Sequence, residues 1–261
     1  VYLGSDNFTT LSWNNTKGRD TINLQSLATF DSGLFILSVD HIPTGPKSAG
    51  LWPAFWTYGP NWPNEGEIDI LESITYYDHN DISLHTNEGC SFSVNDSIFF
   101  NGQWAQQSYG PMTNCTTNPG YGCSINAPNG TYNTGFNQAG GGAYVMEWDA
   151  QNFIRIWNFV KPNVPADILN GSPNPNPDTW GMPTAFFRFG DNCNGTKHFR
   201  NQVITINNAF CGFAGQSWDY PGGECACANH ARFAPYAFSD AYFLVNYIKV
   251  FCRPGDPCRA T

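Results

Sequence analysis

The sequence predicts an all-β protein in which antiparallel strands build one sandwich. Aromatic residues make up 16% of the 261 residues, and aromatic side chains are enriched in strands. The 26 glycines and 18 prolines are spread along the chain, as the turns between many short strands require. No stretch of 12 or more residues shows helical periodicity.

Apolar and polar residues alternate in eight segments, as they do in strands with one buried face. The segments are 33–42, 67–73, 81–86, 143–149, 153–160, 185–189, 202–207 and 241–251. The connection "AQN" between the fourth and the fifth predicts a hairpin. Residues 87–142 carry few strand signals, which is typical of a functional or disulfide-bonded segment. Because no repeat or composition shift marks a boundary, we expect residues 1–261 to form a single domain.

The charge balance argues against nucleic acid as a partner. The net charge is -9 and the chain has 12 basic residues, too few to neutralise many phosphates. The most apolar late run, "AYFLVNYIKVF", is too short to span a bilayer. We expect a monomer that binds neither nucleic acid nor membrane.

Nine cysteines indicate an oxidising compartment and a disulfide-bonded protein. None forms a C-x-x-C pair, and the C-x-C at 225–227 is too tight for ordinary zinc-ligand spacing. Short loop closure favours Cys115 with Cys123 and Cys193 with Cys211. The ninth cysteine is then free or pairs with a thiol outside this sequence.

Seven N-x-S/T sequons point to a secreted, extracellular glycoprotein. The one at Asn170 is compromised by the Pro that follows it. The remaining candidate glycosylation sites are Asn7, Asn14, Asn95, Asn114, Asn129 and Asn194.

The stretch "GEIDILES" carries three carboxylates, Glu67, Asp69 and Glu72. The first gap keeps two of them on one face of a strand, whereas the second sends Glu72 to the other face. A β-bulge at Ile70-Leu71 inserts one residue and returns Glu72 to the face of the others. The outer carboxyl groups are then on the order of 6 Å apart, by strand rise and side-chain reach.

Paired carboxylates at this separation suit glycoside hydrolysis. A retaining enzyme needs roughly 5–5.5 Å and an inverting one about 6.5–9.5 Å, so the estimate favours retention without excluding inversion. Crowding makes the groups unequal, because like charges this close cannot all ionise normally. Asp69 is placed to share a proton with a nucleophile. The alternatives are a solvated acidic strand face and a calcium site.

Tryptophans precede the carboxylates in "GLWPAFWTYGPNWPNEGEIDILE". Trp52 and Trp56 share a face on an extended chain, and Trp62 follows a Gly-Pro turn. Such rings stack on the apolar faces of sugars, although core packing is the alternative for each. Phe55 points the opposite way and is expected in the core. Trp218 is a further candidate for a cleft wall.

His85 lies on the next strand segment, where it is expected to hydrogen-bond Asp69 or a substrate hydroxyl; a structural role is the alternative. Motifs of competing chemistries are missing from the sequence: there is no G-x-S-x-G, H-E-x-x-H, G-x-G-x-x-G or P-loop. "GGG" at 140–142 precedes a strand and indicates a turn.

These motifs resemble glycoside hydrolase family 16, and within it the secreted fungal laminarinase-type endo-β-glucanases. The resemblance covers nearly the whole chain and depends on "WPAFWTYGPNWPNEGEIDILE", "LHT", "GGGAYVMEWD", "IRIWNFVKPNVPADI" and "NYIKVF". It implies a β-jelly-roll sandwich of two antiparallel sheets, with a glycan-binding cleft across the concave face, and retaining hydrolysis. It also implies Glu67 as nucleophile, Asp69 as assisting carboxylate and Glu72 as general acid/base. The matching cleft positions are Trp52, Trp56, Trp62 and His85.

The bulged six-residue spacing E-x-D-x-x-E is similar to that of laminarinases, but other positions depart from the family pattern. Glu65 stands where relatives usually have Gly and adds a fourth acid. Asn23 stands where Arg is expected, and Asn207 where relatives tend to have Asp. Relatives also begin some tens of residues earlier, so we expect an N-terminal strand to be missing from this sequence.

The resemblance and the carboxylate row together predict an endo-acting hydrolase of β-1,3-glucans and mixed β-1,3/1,4-glucans with a retaining double-displacement mechanism. No cofactor or metal is implied. The alternatives are a β-glucan-binding protein that has lost catalysis, and a β-glucan transglycosylase.

Overall fold

The computed structural model describes residues 1–45, 49–74, 76–117, 120–212, 222–252 and 258–260. Two large antiparallel sheets and one small hairpin make up the fold. The strands are β1 (Tyr2–Gly4), β2 (Asn23–Phe30), β3 (Gly33–His41), β4 (Leu51–Tyr58), β5 (Glu67–Glu72), β6 (Asp81–His85), β7 (Gln103–Trp104), β8 (Gln106–Gln107), β9 (Gly110–Pro111), β10 (Cys123–Asn126), β11 (Gly142–Asp149), β12 (Phe153–Val160), β13 (Ala185–Arg188), β14 (Gln202–Phe210), β15 (Tyr242–Phe251) and β16 (Arg259–Ala260).

One sheet has six strands in the order β1-β15-β3-β11-β12-β13, and the other has eight in the order β16-β2-β14-β4-β5-β6-β10-β7. Strands β8 and β9 pair separately. The helices lie in the connections: α1 (Asn133–Gln138), α2 (Ala166–Leu169), α3 (Gly195–His198) and α4 (Gly223–Phe233), with 3-10 turns at Val94–Phe99, Pro177–Thr179 and Pro235–Phe238. In the described part of the chain, no helix has the length and apolar character needed to cross a membrane.

The main core fills the space between the two large sheets. Phe55 and Ile68 point into it from the eight-stranded sheet, and Tyr144 and Met146 from the six-stranded sheet. All four are fully buried, which follows from the alternation of apolar and polar residues in antiparallel strands. The prediction that Phe55 belongs to the core is confirmed, as is the all-β sandwich.

The outer face of the six-stranded sheet is covered by the chain that follows β12. Trp180, Val164 and Ile168 pack there against Ile36 and Trp157 to form a second, smaller core. The Trp157 and Trp180 rings meet edge to face, 5.4 Å apart. The outer face of the eight-stranded sheet, which we call the open face, carries instead the polar and aromatic residues described below.

Four disulfides are present, and one of the two predicted pairs is wrong. Cys115 pairs with Cys123 as predicted. Cys193 does not pair with Cys211, because the loop before α3 forms a β-bridge with Cys90 and brings the two thiols together. The observed pairs are Cys90–Cys193, Cys211–Cys227 and Cys252–Cys258. Cys225 is the unpaired, exposed cysteine.

The predicted hairpin is confirmed, since β11 and β12 pair along their whole length. Several elements had no clear sequence signal. They are strand β2, strand β10 and helix α4, which buries a single residue, Cys227. The described part of residues 87–142 holds four short strands and helix α1.

Candidate active site

The carboxylate row lies on β5, where a β-bulge sets its spacing. Trp56 on β4 is opposite Asp69, and Phe55 is opposite Leu71, so Ile70 has no partner on β4. The extra residue returns the third carboxylate to the face of the first two. The bulge that the sequence predicts is therefore confirmed.

Glu67, Asp69 and Glu72 all point to the open face, away from the main core. Asp69 is buried, with 1% of its surface exposed, and the two glutamates are partly buried. Among the described residues no lysine or arginine forms an ion pair with any of the three. The row therefore holds three crowded acids with no lysine or arginine to compensate them, and the His85 ring is the adjacent group that can carry a positive charge.

Each outer carboxylate accepts a hydrogen bond from a tryptophan. The indole Nε1 of Trp62 donates to Glu67 Oε2, and Trp52 Nε1 donates to Glu72 Oε1 at 2.7 Å. Trp62 comes from the loop before β5, and 47% of its surface is exposed. Both rings therefore flank the acids while keeping surface available for a ligand.

Asp69 is enclosed between its neighbours in the row and His85 on β6. His85 Nε2 lies 3.1 Å from Asp69 Oδ2, but neither Asp69 oxygen accepts an N–H hydrogen bond. The Glu67 carboxyl is within hydrogen-bonding reach of Asp69. A proton carried by either group joins the two by an O–H···O bond, which engages one of the two buried Asp69 oxygens.

Burial raises the pKa of all three carboxyls, because it penalises the charged form. Burial and the nearby Asp69 charge raise the pKa of Glu67 to about 8. Burial raises the pKa of Asp69 to about 7. Burial, with the charges of both neighbours, raises the pKa of Glu72 well above its ordinary range. The row consequently retains protons at a pH where exposed carboxyls are ionised.

Glu65 points away from the carboxylate row and fixes the loop that carries Trp62. Its Oε2 accepts the Asn61 backbone N–H at 3.0 Å, and its Oε1 accepts Asn201 Nδ2 at 2.9 Å. Arg200 Nε lies 3.4 Å from the same oxygen. The expectation of a fourth acid beside the triad is therefore corrected, because its charge is taken up by loop contacts.

A glycine completes this loop. Gly66 has a φ of +76°, and a Cβ there would lie 2.3 Å from the His198 carbonyl oxygen. Any side chain at this position would push the loop away from α3. Buried Gln202 of β14 also donates to the Glu65 carbonyl at 2.6 Å, which fixes the loop to the eight-stranded sheet.

The two asparagines that depart from the family pattern lie on neighbouring strands. Asn207 Oδ1 accepts the Trp56 indole N–H at 2.6 Å, so an amide holds this ring in place. Asn23 is exposed and opposite Asn207 in register. The Trp56 ring stacks on Tyr58 with centroids 5.0 Å apart, which extends the aromatic surface along β4.

Two further expectations from the sequence were a cleft wall at Trp218 and, as an alternative, a calcium site. Trp218 lies outside the described residues. In the described part of the chain, one group of possible metal ligands occurs, with atoms of Glu67, Asp69 and His85 within 4.8 Å of one another. Ca²⁺ takes six to eight oxygen ligands, and this group offers two carboxylates and an imidazole. The donor set therefore does not fit a calcium site.

A β-sandwich that carries a row of carboxylates on a bulged strand of its open face has the arrangement of a β-jelly-roll glycoside hydrolase. A family profile described as "XgeA-like, catalytic GH16 domain" matches residues 1–251. The chain belongs to glycoside hydrolase family 16.

Curated relatives from fungi are similar over nearly the whole chain. The endo-1,3(4)-β-glucanase of Arthroderma benhamiae is 37% identical over 273 residues, covering 99% of this chain and 56% of that protein. A probable endo-1,3(4)-β-glucanase of Aspergillus flavus is 34% identical over 259 residues, covering 96% and 37%. The chain thus spans between about a third and just over half of these relatives.

Solved structures agree with the fold. Laminarinase 16A from Phanerochaete chrysosporium, determined with 6-O-glucosyl-laminaritriose in donor and acceptor sites, has a TM-score of 0.85 at 34% identity. The match covers 96% of this chain and 83% of that one. An elongating family 16 β-1,3-glucosyltransferase has a TM-score of 0.82 at 32% identity, covering 96% and 82%.

Proposed function

We propose that this chain is an endo-acting hydrolase of β-1,3-glucans and mixed β-1,3/1,4-glucans, and that it acts with retention through Glu67, Asp69 and Glu72. The observation that carries the proposal is the bulged row of acids on the open face, each outer one bonded to a tryptophan. Glucanase relatives over nearly the whole chain support the same reaction.

In the first step Glu67 attacks the anomeric carbon of the bound sugar as a carboxylate. The Trp62 indole N–H stabilises its charge through a hydrogen bond. Asp69, beside the ring of His85, takes up the proton that Glu67 releases before the attack. Glu72, whose raised pKa keeps it protonated, gives its proton to the oxygen of the leaving sugar. The glycosidic bond breaks as the Glu67–sugar ester forms.

In the second step the Glu72 carboxylate takes a proton from an incoming water. The water oxygen bonds to the anomeric carbon, the ester breaks, and Glu67 is released as a carboxylate. Glu72 ends protonated, as it began, so the net reaction adds one water across the glycosidic bond. Two inversions give overall retention at that carbon.

The substrate is a β-glucan that crosses the strands of the open face. Trp52, Trp56 and Trp62 provide ring surface on both sides of the acids, and sugar C–H faces stack on such rings. His85 on β6 forms part of the same sugar-binding surface. Trp218 remains a candidate for a further wall.

We further propose a single extracellular domain that works as a monomer. Four disulfides support an oxidising compartment. Of the candidate glycosylation sites, Asn7 is partly buried and the others are exposed: Asn14, Asn95, Asn114, Asn129 and Asn194. Secretion assays, glycopeptide mapping and size-exclusion chromatography test these points.

The second candidate function is transglycosylation, in which a sugar hydroxyl replaces water in the second step. The elongating glucosyltransferase at 32% identity favours it, because the covalent intermediate is common to both reactions. A binding protein without catalysis is disfavoured, since binding alone does not require the uncompensated acids of β5.

The test compares the protein with a Glu67→Gln variant on a linear β-1,3-glucan and a mixed-linkage β-glucan. Proton NMR follows the anomers of the first products. We expect β-anomers first from the protein and a loss of cleavage in the variant, because an amide cannot form the ester.

If α-anomers appear first, the enzyme inverts the configuration at the anomeric carbon, and the retaining mechanism is wrong. Cleavage by the variant at the native rate would remove Glu67 as the nucleophile. Products longer than the starting chain would move the assignment to the transglycosylase. No cleavage by either protein, with binding intact, would point to a β-glucan-binding module.

A further inference from the structure

One buried asparagine contacts the backbone of the proposed acid. Asn80 comes directly before β6, and 0% of its surface is exposed. Its side-chain Oδ1 accepts the Glu72 backbone N–H at 2.9 Å, and its Nδ2 donates to the Ile70 carbonyl at 2.9 Å. The amide therefore bonds the bulged segment of β5 on both sides of Leu71.

This amide takes the place of a neighbouring strand. Within the described strands, β6 pairs with β5 from Glu67 to Asp69 and no further, and the bulge leaves Ile70 without a partner on β4. Without Asn80, the Ile70 carbonyl and the Glu72 N–H would lose their side-chain partner, and an unpaired polar group beside the core costs free energy. A carboxamide offers a donor and an acceptor in one plane, as a peptide group of a paired strand does.

Asn80 is itself held by three other elements of the fold. Its Nδ2 also donates to Asn158 Oδ1 of β12 at 3.0 Å, so the amide joins the two large sheets. Its backbone N–H donates to Thr131 Oγ1 at 3.0 Å, and its carbonyl accepts the Ala127 N–H at 2.8 Å. Because the side chain and the backbone are both bonded, the amide cannot turn without breaking several hydrogen bonds at once.

Glu72 is consequently held at both of its ends. The Trp52 indole N–H bonds its carboxyl group at 2.7 Å, and Asn80 bonds its backbone N–H. The distance between the carboxyl groups of Glu67 and Glu72 decides between a nucleophile and a bound water in glycoside hydrolysis. At the Glu72 end, that distance depends on a side-chain amide in addition to regular strand pairing.

We propose that Asn80 is a positioning residue for the reaction: its amide fixes the bulge and so places Glu72 for proton transfer to the leaving oxygen. This inference rests on the proposed function and adds to it a residue outside the carboxylate row. Since Asn80 is fully buried, it cannot touch the sugar and acts only through Glu72. A displaced acid slows the step that needs its proton and leaves sugar binding unchanged.

The test uses two substitutions of the asparagine and one matched control. Asn80→Ala removes the amide, whereas Asn80→Asp keeps the shape and the acceptor for Glu72 but loses the donor to Ile70. The control is Asn208→Ala, because Asn208 is 1% exposed, its amide donates to Ser5 Oγ at 2.9 Å, and its strand β14 is not adjacent to β5. Values of kcat and KM are measured on a β-1,3-glucan and on a dinitrophenyl glycoside, whose leaving group needs no proton, and are corrected for the folded fraction.

We expect both Asn80 variants to lose kcat/KM on the glucan, by about 10²-fold in Asn80→Ala, because a small displacement of a catalytic group costs that much. The loss on the dinitrophenyl glycoside should be less than about fivefold. KM for the glucan should stay unchanged, and Asn208→Ala should change kcat/KM by less than about twofold on either substrate. Equal losses on the two substrates, or no loss on the glucan, would overturn the positioning role.

Failure of the proposed function gives a different result, because the native protein then cuts neither substrate. Hydrogen exchange, followed by NMR, tests the amide contact without activity and without a folded variant. In the native protein the Glu72 N–H should exchange as slowly as that of Ile68, which is paired with strands on both sides. In Asn80→Ala the Glu72 N–H should exchange faster, while Ile68 should not change. A Glu72 N–H that exchanges like an exposed amide in the native protein would overturn the inference.

Discussion

The two large sheets each bury carboxylates next to tryptophans, but they treat the charges differently. On the six-stranded sheet, Glu147 is 2% exposed and forms an ion pair with Arg155. The Arg155 guanidinium also lies 5.1 Å from the centroid of the Trp157 ring. On the eight-stranded sheet, Glu67 and Asp69 are crowded together, and no lysine or arginine among the described residues pairs with them.

The difference separates a structural acid from a reactive one. A buried carboxylate with a guanidinium stays charged and holds neighbouring strands together. Buried carboxylates that repel one another keep protons and lose them unequally, which suits acid–base and nucleophilic work. Glu65, paired with Arg200 and Asn201, belongs with the structural kind even though it lies two residues from Glu67.

The largest effect should come from removing the proposed acid. We expect Glu72→Ala to lower kcat/KM on β-1,3-glucan by about 10³-fold, within the range for general acid catalysis. An aryl glucoside with an acidic leaving group needs less protonation, so its hydrolysis should fall far less. Steady-state assays on both substrates check this. An equal loss on both would assign Glu72 another role.

The structural pair should show the opposite pattern. We expect Glu147→Gln to lower the free energy of unfolding by about 2 kcal/mol, because the largely buried Arg155 guanidinium then keeps only its exposed partner Asp178. Activity per folded molecule should not change. Urea unfolding and assays at 25 °C measure both. The control is Asp178→Asn, which removes the exposed partner of Arg155 and should cost less than about 1 kcal/mol.

The bulge could be predicted because its cause is local. Three acids at a spacing that fits no regular strand leave one way to share a face, and β5 adopts it. The role of Glu65 could not be predicted in this way, since its partner Asn201 is 136 positions away in the sequence. The position of Glu65 beside the acids suggested a shared site, whereas loop packing decided its partners.

The difference between local and long-range causes also explains which disulfides could be predicted and why helix α4 could not. Cys115 and Cys123 are eight residues apart, so short loop closure was enough to predict that pair. Cys90 and Cys193 are 103 residues apart and meet only through the packing of two loops. Helix α4 has no apolar stripe, because it buries only Cys227, so periodicity gave no signal for it.

A third expectation concerns stability and pH. Burial and Asp69 raise the pKa of Glu67 from 4.5 to about 8, so the folded protein binds more protons than the unfolded chain between these values. Stability from this group therefore falls as pH rises through that window. We expect Glu67→Gln to be more stable than the native protein by about 2 kcal/mol at pH 8, and equally stable at pH 4.

This difference in the free energy of unfolding is smaller than the full pKa shift of Glu67 would give, because Glu67 is partly exposed and shares a proton with Asp69. Denaturant unfolding at both pH values measures it. Glu88→Gln, at an exposed position, is the control and should change stability at neither pH. If the variant and the native protein are equally stable at pH 8, other groups stabilise the Glu67 carboxylate in solution and burial does not destabilise its charged form.

The smallest effect should come from one hydrogen bond. The Trp62 indole N–H stabilises the charged form of Glu67 and lowers its pKa against the effect of burial. Trp62→Phe keeps an aromatic ring and removes this donor, so the acid limb of the kcat/KM profile should move to higher pH by about half a unit.

Trp56→Phe is the matched control, because its N–H bonds Asn207 instead of an acid. Its acid limb should stay in place even if KM rises from the lost contact. If both variants shift the limb equally, the effect belongs to the ring surface rather than to the indole N–H. If neither shifts it, the charge on Glu67 is set by Asp69 and by burial, and the tryptophan serves only to hold the sugar.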